Sequence, residues 1–305
     1  WAVNLVFKGD AFDFDADGFY ATLFDFNRRE IMKISYNNSL ILTLFKGIEA
    51  AEDSYERKVL AFFEDYSKDG IFNAEIFANK LQLMRAQAKS DEDTSALNLI
   101  RDRLRELMKT ADKELARKYV RSGRWQVAKL IGFFILVTAA TSVLYLMRGD
   151  IYPVLFSALS ASITLLIISI PPIFVPSALF DRWKQDYYKE KLEWDAFRNF
   201  LSDFASIQKY APEDIAIWKE WLVYGTALGV GDSVVKAMEQ LKVPNLPEIN
   251  AATYMPVHFD QAYRTASWPV IKESKDSSWF SGGGSFGGGG FGGGGGFGGG
   301  GGGAR

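Results

Sequence analysis

Two stretches of this 305-residue chain place acids at the spacing of a calcium loop. Asp13-Phe-Asp15-Ala-Asp17-Gly18 offers oxygens at loop positions 1, 3 and 5 and glycine at 6, and Asp65-Tyr-Ser67-Lys-Asp69-Gly70 does the same. A complete loop closes its shell with a bidentate carboxylate at position 12. Those positions are Phe24 and Ile76, so both stretches are expected to cap helices and solvate turns instead. Gly229-Val-Gly231-Asp232-Ser233 has the glycines of a phosphate loop but lacks the Lys-Ser/Thr ending and a preceding strand. A glycine turn with Asp232 capping the following helix is the expectation there. His258 is the one histidine and no cysteine is present, so neither a zinc site nor a His-dependent triad can be assembled without it. No catalytic, metal or cofactor residue is assigned. The reading is of a non-enzyme with no cofactor and no evident small-molecule substrate.

The elements that carry these residues divide by hydropathy. Leu130 to Met147 is uncharged over 18 residues, ten of them Leu, Ile, Val or Phe. As a helix it spans roughly 27 Å, near the thickness of a bilayer's hydrocarbon core. A second uncharged run covers Ile151 to Phe180, with Pro153 suited to a first helical turn and Pro171-Pro172 ending the helix. The expected architecture is a mostly α membrane protein with a two-helix transmembrane hairpin over residues 125–180. Arg117, Lys118, Arg121, Arg124 and Lys129 precede the pair, and Arg182, Lys184, Lys189 and Lys191 follow it, against one Arg offset by an Asp in Arg148-Gly149-Asp150. That asymmetry places both arms in the cytoplasm. Trp125, Lys129, Tyr145, Tyr152 and Trp183 fall where membrane-interface side chains belong. Small residues at four-residue spacing, Thr138/Ser142, Ser157/Ala161 and Ala158/Ser162, predict where the helices pack. No Asp, Glu, Lys, Arg or His lies between the ends of either helix, which favours an anchor over a conduit.

The arms read as helical modules. Residues 1–9 are expected to be a linker and 10–124 a winged-helix-like module. In it, Phe19, Leu23 and Phe26 form a helical stripe after an Asp17-Gly18 cap, and strands Ile31–Tyr36 and Leu40–Phe45 flank the turn Asn37-Asn38. Helices then follow through Tyr55–Phe63, Phe72–Met84 and Leu97–Met108. Residues 181–243 form a second helical module with stripes Trp194–Phe204, Trp218–Leu222 and Val234–Leu241, and 244–281 form a linker. Arg28 and Arg29 are balanced by Asp25 and Glu30, and the chain carries a net charge of −2, which disfavours a nucleic-acid partner.

Ala21-Thr-Leu-Phe-Asp-Phe-Asn-Arg-Arg-Glu30, Trp194-Asp-Ala-Phe-Arg-Asn-Phe-Leu201 and Trp218-Lys-Glu-Trp-Leu-Val-Tyr-Gly-Thr-Ala-Leu-Gly-Val-Gly-Asp232, with the glycine-rich C-terminus, resemble the predicted membrane proteins of the domain of unknown function 2207 family. The resemblance implies a longer precursor with an extracytoplasmic β-rich domain and an earlier transmembrane helix, in the cytoplasmic membrane of a prokaryote. The start at Trp1 rather than Met agrees with that expectation. It brings no catalytic residues.

Residues 282–305 are a Gly/Phe-rich tail in which Phe286, Phe291 and Phe297 punctuate the glycines. Glycine loses the most entropy on ordering, so a spacer is the default, and three exposed rings point to docking. The resulting expectation is a membrane-anchored scaffold or interaction protein whose partners are the lipid bilayer and copies of itself or other membrane proteins. The alternatives are a subunit of an oligomeric transporter or channel and a membrane-tethered nucleic-acid-binding regulator.

Overall fold

A computed structural model describes residues 1–9, 11–88, 91–121, 123–147, 152–171, 182–210, 214–243 and 248–267. The fold is mostly helical. It begins with α1 (Ala2–Phe7) and α2 (Ala16–Arg28), then β1 (Met32–Asn37), β2 (Ser39–Leu44), α3 (Ser54–Tyr66) and β3 (Ile71–Asn73). Helices α4 (Ala74–Gln87), α5 (Asp91–Lys109) and α6 (Lys113–Tyr119) lead into β4 (Val120–Arg121), and two apolar helices follow, α7 (Arg124–Met147) and α8 (Tyr152–Ser169). The chain returns through β5 (Arg182–Trp183), α9 (Tyr187–Ser202), α10 (Phe204–Ile207), α11 (Ile215–Ala227), α12 (Gly231–Gln240) and α13 (Glu248–Ser267).

Short polar side chains set the helix starts. Asp15 accepts from the Asp17 amide and so begins α2 two residues before the expected Asp17-Gly18 cap. Asp53 accepts from the amides of Tyr55 and Glu56 at the head of α3. Asn73 accepts from Glu75 and Ile76, so α4 opens at Ala74, while Phe72, expected in that helix, pairs with Leu42 in a strand. The predicted hairpin forms with Met32 opposite Leu44, and Asn38 turns it in the left-handed region at φ 61°. β3 adds antiparallel to β2, giving the order β1-β2-β3.

The two arms do not form separate modules. One apolar core takes Leu23, Phe26, Phe63 and Leu104 from before the membrane segment and Leu201, Trp218, Val234 and Met238 from after it. Helix α2 packs on α11, and α13 packs on α4 and α5. The boundaries drawn at 10–124 and 181–243 therefore cut through one hydrophobic interior.

Both expected linkers contribute to that interior. Residues 2–7 form α1, which buries Leu5 and Phe7. The buried Asn4 donates from Nδ2 to the carbonyl of Ala227 (3.0 Å) and to Asp15 (2.8 Å), tying the N-terminal helix to α11. Residues 248–267, assigned to a linker because of Pro244 and Pro247, form α13 around an internal Pro256. Its residues Ala251, Met255, Phe259 and Ala262 are buried at intervals of four, four and three. Phe259 meets Phe19 edge-on at 5.1 Å and stacks parallel to Phe72 at 6.2 Å. Residues 268–281 lie outside the described residues.

The end of α11 and the turn into α12 need their glycines for close approach. A Cβ on Gly225 would sit 2.7 Å from Val234 Cγ2. Gly229 has φ +76°, and a Cβ there would also come within 2.6 Å of Lys8 Cε. Asp232 does not cap α12, since Val230 holds the N-cap position and Asp232 lies in the first turn. Changing Gly229→Ala is expected to cost about 1–3 kcal/mol, combining backbone strain with displacement of Lys8. Thermal unfolding of the detergent-solubilised chain should show a lowered midpoint, and an unchanged one would remove this account of the turn.

Candidate functional site

The acid clusters that resemble half calcium loops are engaged internally. Lys8 Nζ lies between Asp15 and Asp17, at 2.5 Å from Asp17 Oδ2, so an ammonium occupies the place a metal would take. Burial raises the Asp17 carboxyl above its ordinary range, and Lys8 opposes that rise. In the second stretch Asp65 pairs with Arg103, and Asp69 and Gly70, both at positive φ, turn the chain from α3 into β3. His258 lies on α13 with its ring centroid 6.3 Å from that of Tyr36. The candidate basic face on α2 is likewise occupied. Arg28 pairs with Asp25 at 2.7 Å, and Arg29 with Glu52 and Glu56 at 2.6 and 2.8 Å.

The distinctive geometry is where the chain leaves and re-enters the core. β4 and β5 pair antiparallel, with Val120 opposite Trp183 and Arg121 opposite Arg182. The Lys184 amide donates to the Tyr119 carbonyl at 2.9 Å, and Lys184 Nζ donates to the Arg117 carbonyl at 2.5 Å. Alternation along a strand sends neighbouring side chains to opposite faces. Val120 is accordingly buried, and Trp183 stacks on Phe7 at 5.9 Å. Phe7 also meets Tyr119 edge-on at 5.4 Å and Trp194 at 5.6 Å. Trp183, expected at the membrane interface, is partly buried in this aromatic joint. The ribbon is too short for a sequence period to show it.

Beyond the ribbon stand α7 and α8. Among the described residues, Trp125–Met147 is the one helix long and apolar enough to cross a membrane, with mean hydropathy 2.2 and none of its residues fully buried. The apolar part of α8, Pro153–Ser169, is shorter. The two pack on each other through a stripe of partly buried residues on α7, Val127, Ile131, Phe134, Thr138, Thr141 and Tyr145. Leu155, Leu159, Ser162, Leu166 and Ser169 answer it on α8. Both stripes alternate steps of four and three, the spacing of a coiled-coil seam. At mid-height Thr138 Oγ1 donates to the Ser162 carbonyl at 3.3 Å, and the hydroxyls of Thr141 and Ser162 lie 3.1 Å apart.

Of the residues expected at this contact, Thr138, Ser142 and Ser162 lie on or beside the seam. Ser157, Ala158 and Ala161 do not, being exposed on another side of α8. Leucines at the seam determine which face turns inward, and they outweigh the small residues beside them. Thr141 was missed because the four-residue rule pairs Thr138 with Ser142. Trp125 is 69% exposed, with Lys129 Nζ 5.8 Å from its ring centroid. Tyr145 is partly buried. The side chain of Tyr152, the turn Arg148–Asp150 and Phe286, Phe291 and Phe297 of the tail lie outside the described residues.

Comparison with curated proteins and with solved structures returned no match. A family model does match, over residues 2–238, spanning both arms, the ribbon and the apolar helices. The chain belongs to the family described as predicted membrane protein (DUF2207), C-terminal domain.

Proposed function

We propose that this chain is a non-enzymatic, membrane-anchored scaffold or interaction protein. In this reading α7 and α8 cross the bilayer as a hairpin, and both arms form one domain on the cytoplasmic side. The observation that carries it is the shared core: Phe26 and Trp218 belong to one apolar cluster although the apolar helices separate them in sequence. A single core cannot be assembled from segments on opposite faces of a bilayer, so the intervening segment crosses an even number of times. The basic residues flanking α7 and following α8 support the cytoplasmic side.

The exposed α8 hydroxyls favour an anchor over a pore. Ser157, Ser160 and Thr164 donate to carbonyls of their own helix, which satisfies them in lipid without water. The face they share with Ala161 suits packing against a second copy or another membrane helix. The small antiparallel sheet among α2, α3 and α4 supports calling the N-terminal part winged-helix-like. The ion pairs that occupy Arg28 and Arg29 argue against its use on nucleic acid.

These 305 residues contain no cysteine, so single cysteines in the chain can test the topology directly. Asn79→Cys and Lys236→Cys occupy exposed positions on the two arms, and Gly149→Cys lies between the apolar helices. A membrane-impermeant maleimide on intact cells should label only Gly149→Cys, with the other two reacting together after lysis. Unequal labelling of Asn79→Cys and Lys236→Cys would overturn the single-domain hairpin. The scaffold role is read by the mass of the detergent-purified chain with whatever accompanies it, and a bare monomer would count against it.

A further inference from the structure

The two-residue ribbon contains a pairing that should not favour itself. Arg121 and Arg182 are directly opposite each other on antiparallel strands. Such partners hold their Cβ atoms roughly 4.5–5.5 Å apart on one face, where like charges repel. Their strand neighbours Val120 and Trp183 turn toward the core, so both guanidiniums point away from it, and both residues are exposed. Among the described residues neither arginine has an ion-pair partner. The nearby cations compound the repulsion: Arg117, Lys118 and Lys184 are also exposed, and Lys184 Nζ is turned to a backbone carbonyl rather than an acid.

The position of the pair is as informative as its charge. Trp125 starts the apolar span four residues after Arg121, and it is exposed with Lys129 against its ring. Aromatic rings of this kind lie at headgroup level. Two guanidiniums held side by side at that level match the oxygens of one phosphate, which accepts paired N–H donors from each. We propose that Arg121 and Arg182 clamp the phosphate of an anionic phospholipid headgroup, which neutralises the ribbon and fixes the domain's height on the bilayer. The proposal rests on the reading that α7 and α8 are embedded in lipid. A dissolved phosphate would meet the same two donors but has no reason to seek the foot of an apolar helix.

The test uses the full chain in mixed micelles containing equal phosphatidylglycerol and phosphatidylcholine, with bound lipid counted by native mass spectrometry. Phosphatidylglycerol should be retained preferentially. The double change Arg121→Gln with Arg182→Gln should reduce that preference roughly thirtyfold, given the contribution of each of the two basic groups near an anionic surface. Arg121→Glu provides a variant whose ribbon is expected to be firmer, since it places opposite charges across the strands. It should nevertheless lose the preference.

Lys209→Gln, on an exposed site after α10, removes one charge elsewhere and should leave the preference intact. An unchanged preference in both arginine variants, or an equal loss in Lys209→Gln, would overturn the clamp in favour of a diffuse basic collar. Displacement of the lipid by millimolar inorganic phosphate would overturn the lipid assignment in favour of a free-anion site. Resistance of the wild-type chain to carbonate extraction from vesicles reads the membrane embedding separately, so loss of the clamp and loss of the anchor give different results.

Discussion

Replacing residues 122–181 with Asn-Gly should yield a water-soluble protein that retains the core and unfolds in one cooperative transition. The ribbon provides the reason. Arg121 and Arg182 are already paired across the neck, so an Asn-Gly turn, whose left-handed backbone matches the twist of antiparallel strands, joins them without moving either arm. The excision removes both apolar helices and with them exposed Leu136, Phe133, Phe156 and Ile168. It leaves the packing of α2 on α11 and of α13 on α4 and α5 untouched. Solubility without detergent, near-ultraviolet circular dichroism and a single melting transition would check it. An aggregated product, or two transitions assignable to separate arms, would contradict a shared core.

Phe259→Ala should be among the most damaging single changes in the chain. Phe259 is 1% exposed and its ring meets Phe19, Phe63 and Phe72. Truncating a buried Phe typically costs about 3–5 kcal/mol, from lost apolar transfer and the cavity left behind. Domain stabilities are only about 5–15 kcal/mol, so the change removes a large share. For a domain of this size the melting midpoint should fall by roughly 10 °C. Val257→Ala, on the same helix but 59% exposed, should stay within about 0.5 kcal/mol of wild type. Equal melting of the two variants would mean that α13 is not part of the core.

These two predictions concern features that sequence patterns read poorly, and the reasons differ. The stripe Phe19, Leu23 and Phe26, the Asn38 turn and the apolar helices α7 and α8 were legible because each repeats its signal over several residues. β4 and β5 have two residues each, fewer than one period of any pattern. Helix α1 has six residues and no side-chain cap, so neither length nor punctuation marked it. In α13 the buried spacing is regular, but three of its five buried apolar positions are alanines and Pro256 interrupts it, which masks the stripe. The choice of seam on α8 depended on leucine packing against α7, a tertiary fact. That both arms share one interior follows from no local signal at all.

The single interior has a consequence for the order of events at synthesis. Helix α2 emerges early, yet α11, which covers it, follows both apolar helices in the chain. At about 5–20 residues per second, the roughly 200 residues between them take on the order of tens of seconds. Membrane insertion therefore precedes completion of the fold, and Ala21 and Thr22, which line one cleft with Val223 and Tyr224 of α11, wait with their eventual cover still unmade. The ribbon is the first place where the returning chain meets the waiting one, with Lys184 reaching Tyr119 and Trp183 reaching Phe7. In the assembling protein the neck is a zipper's starting tooth, from which the second half of the domain closes over the first.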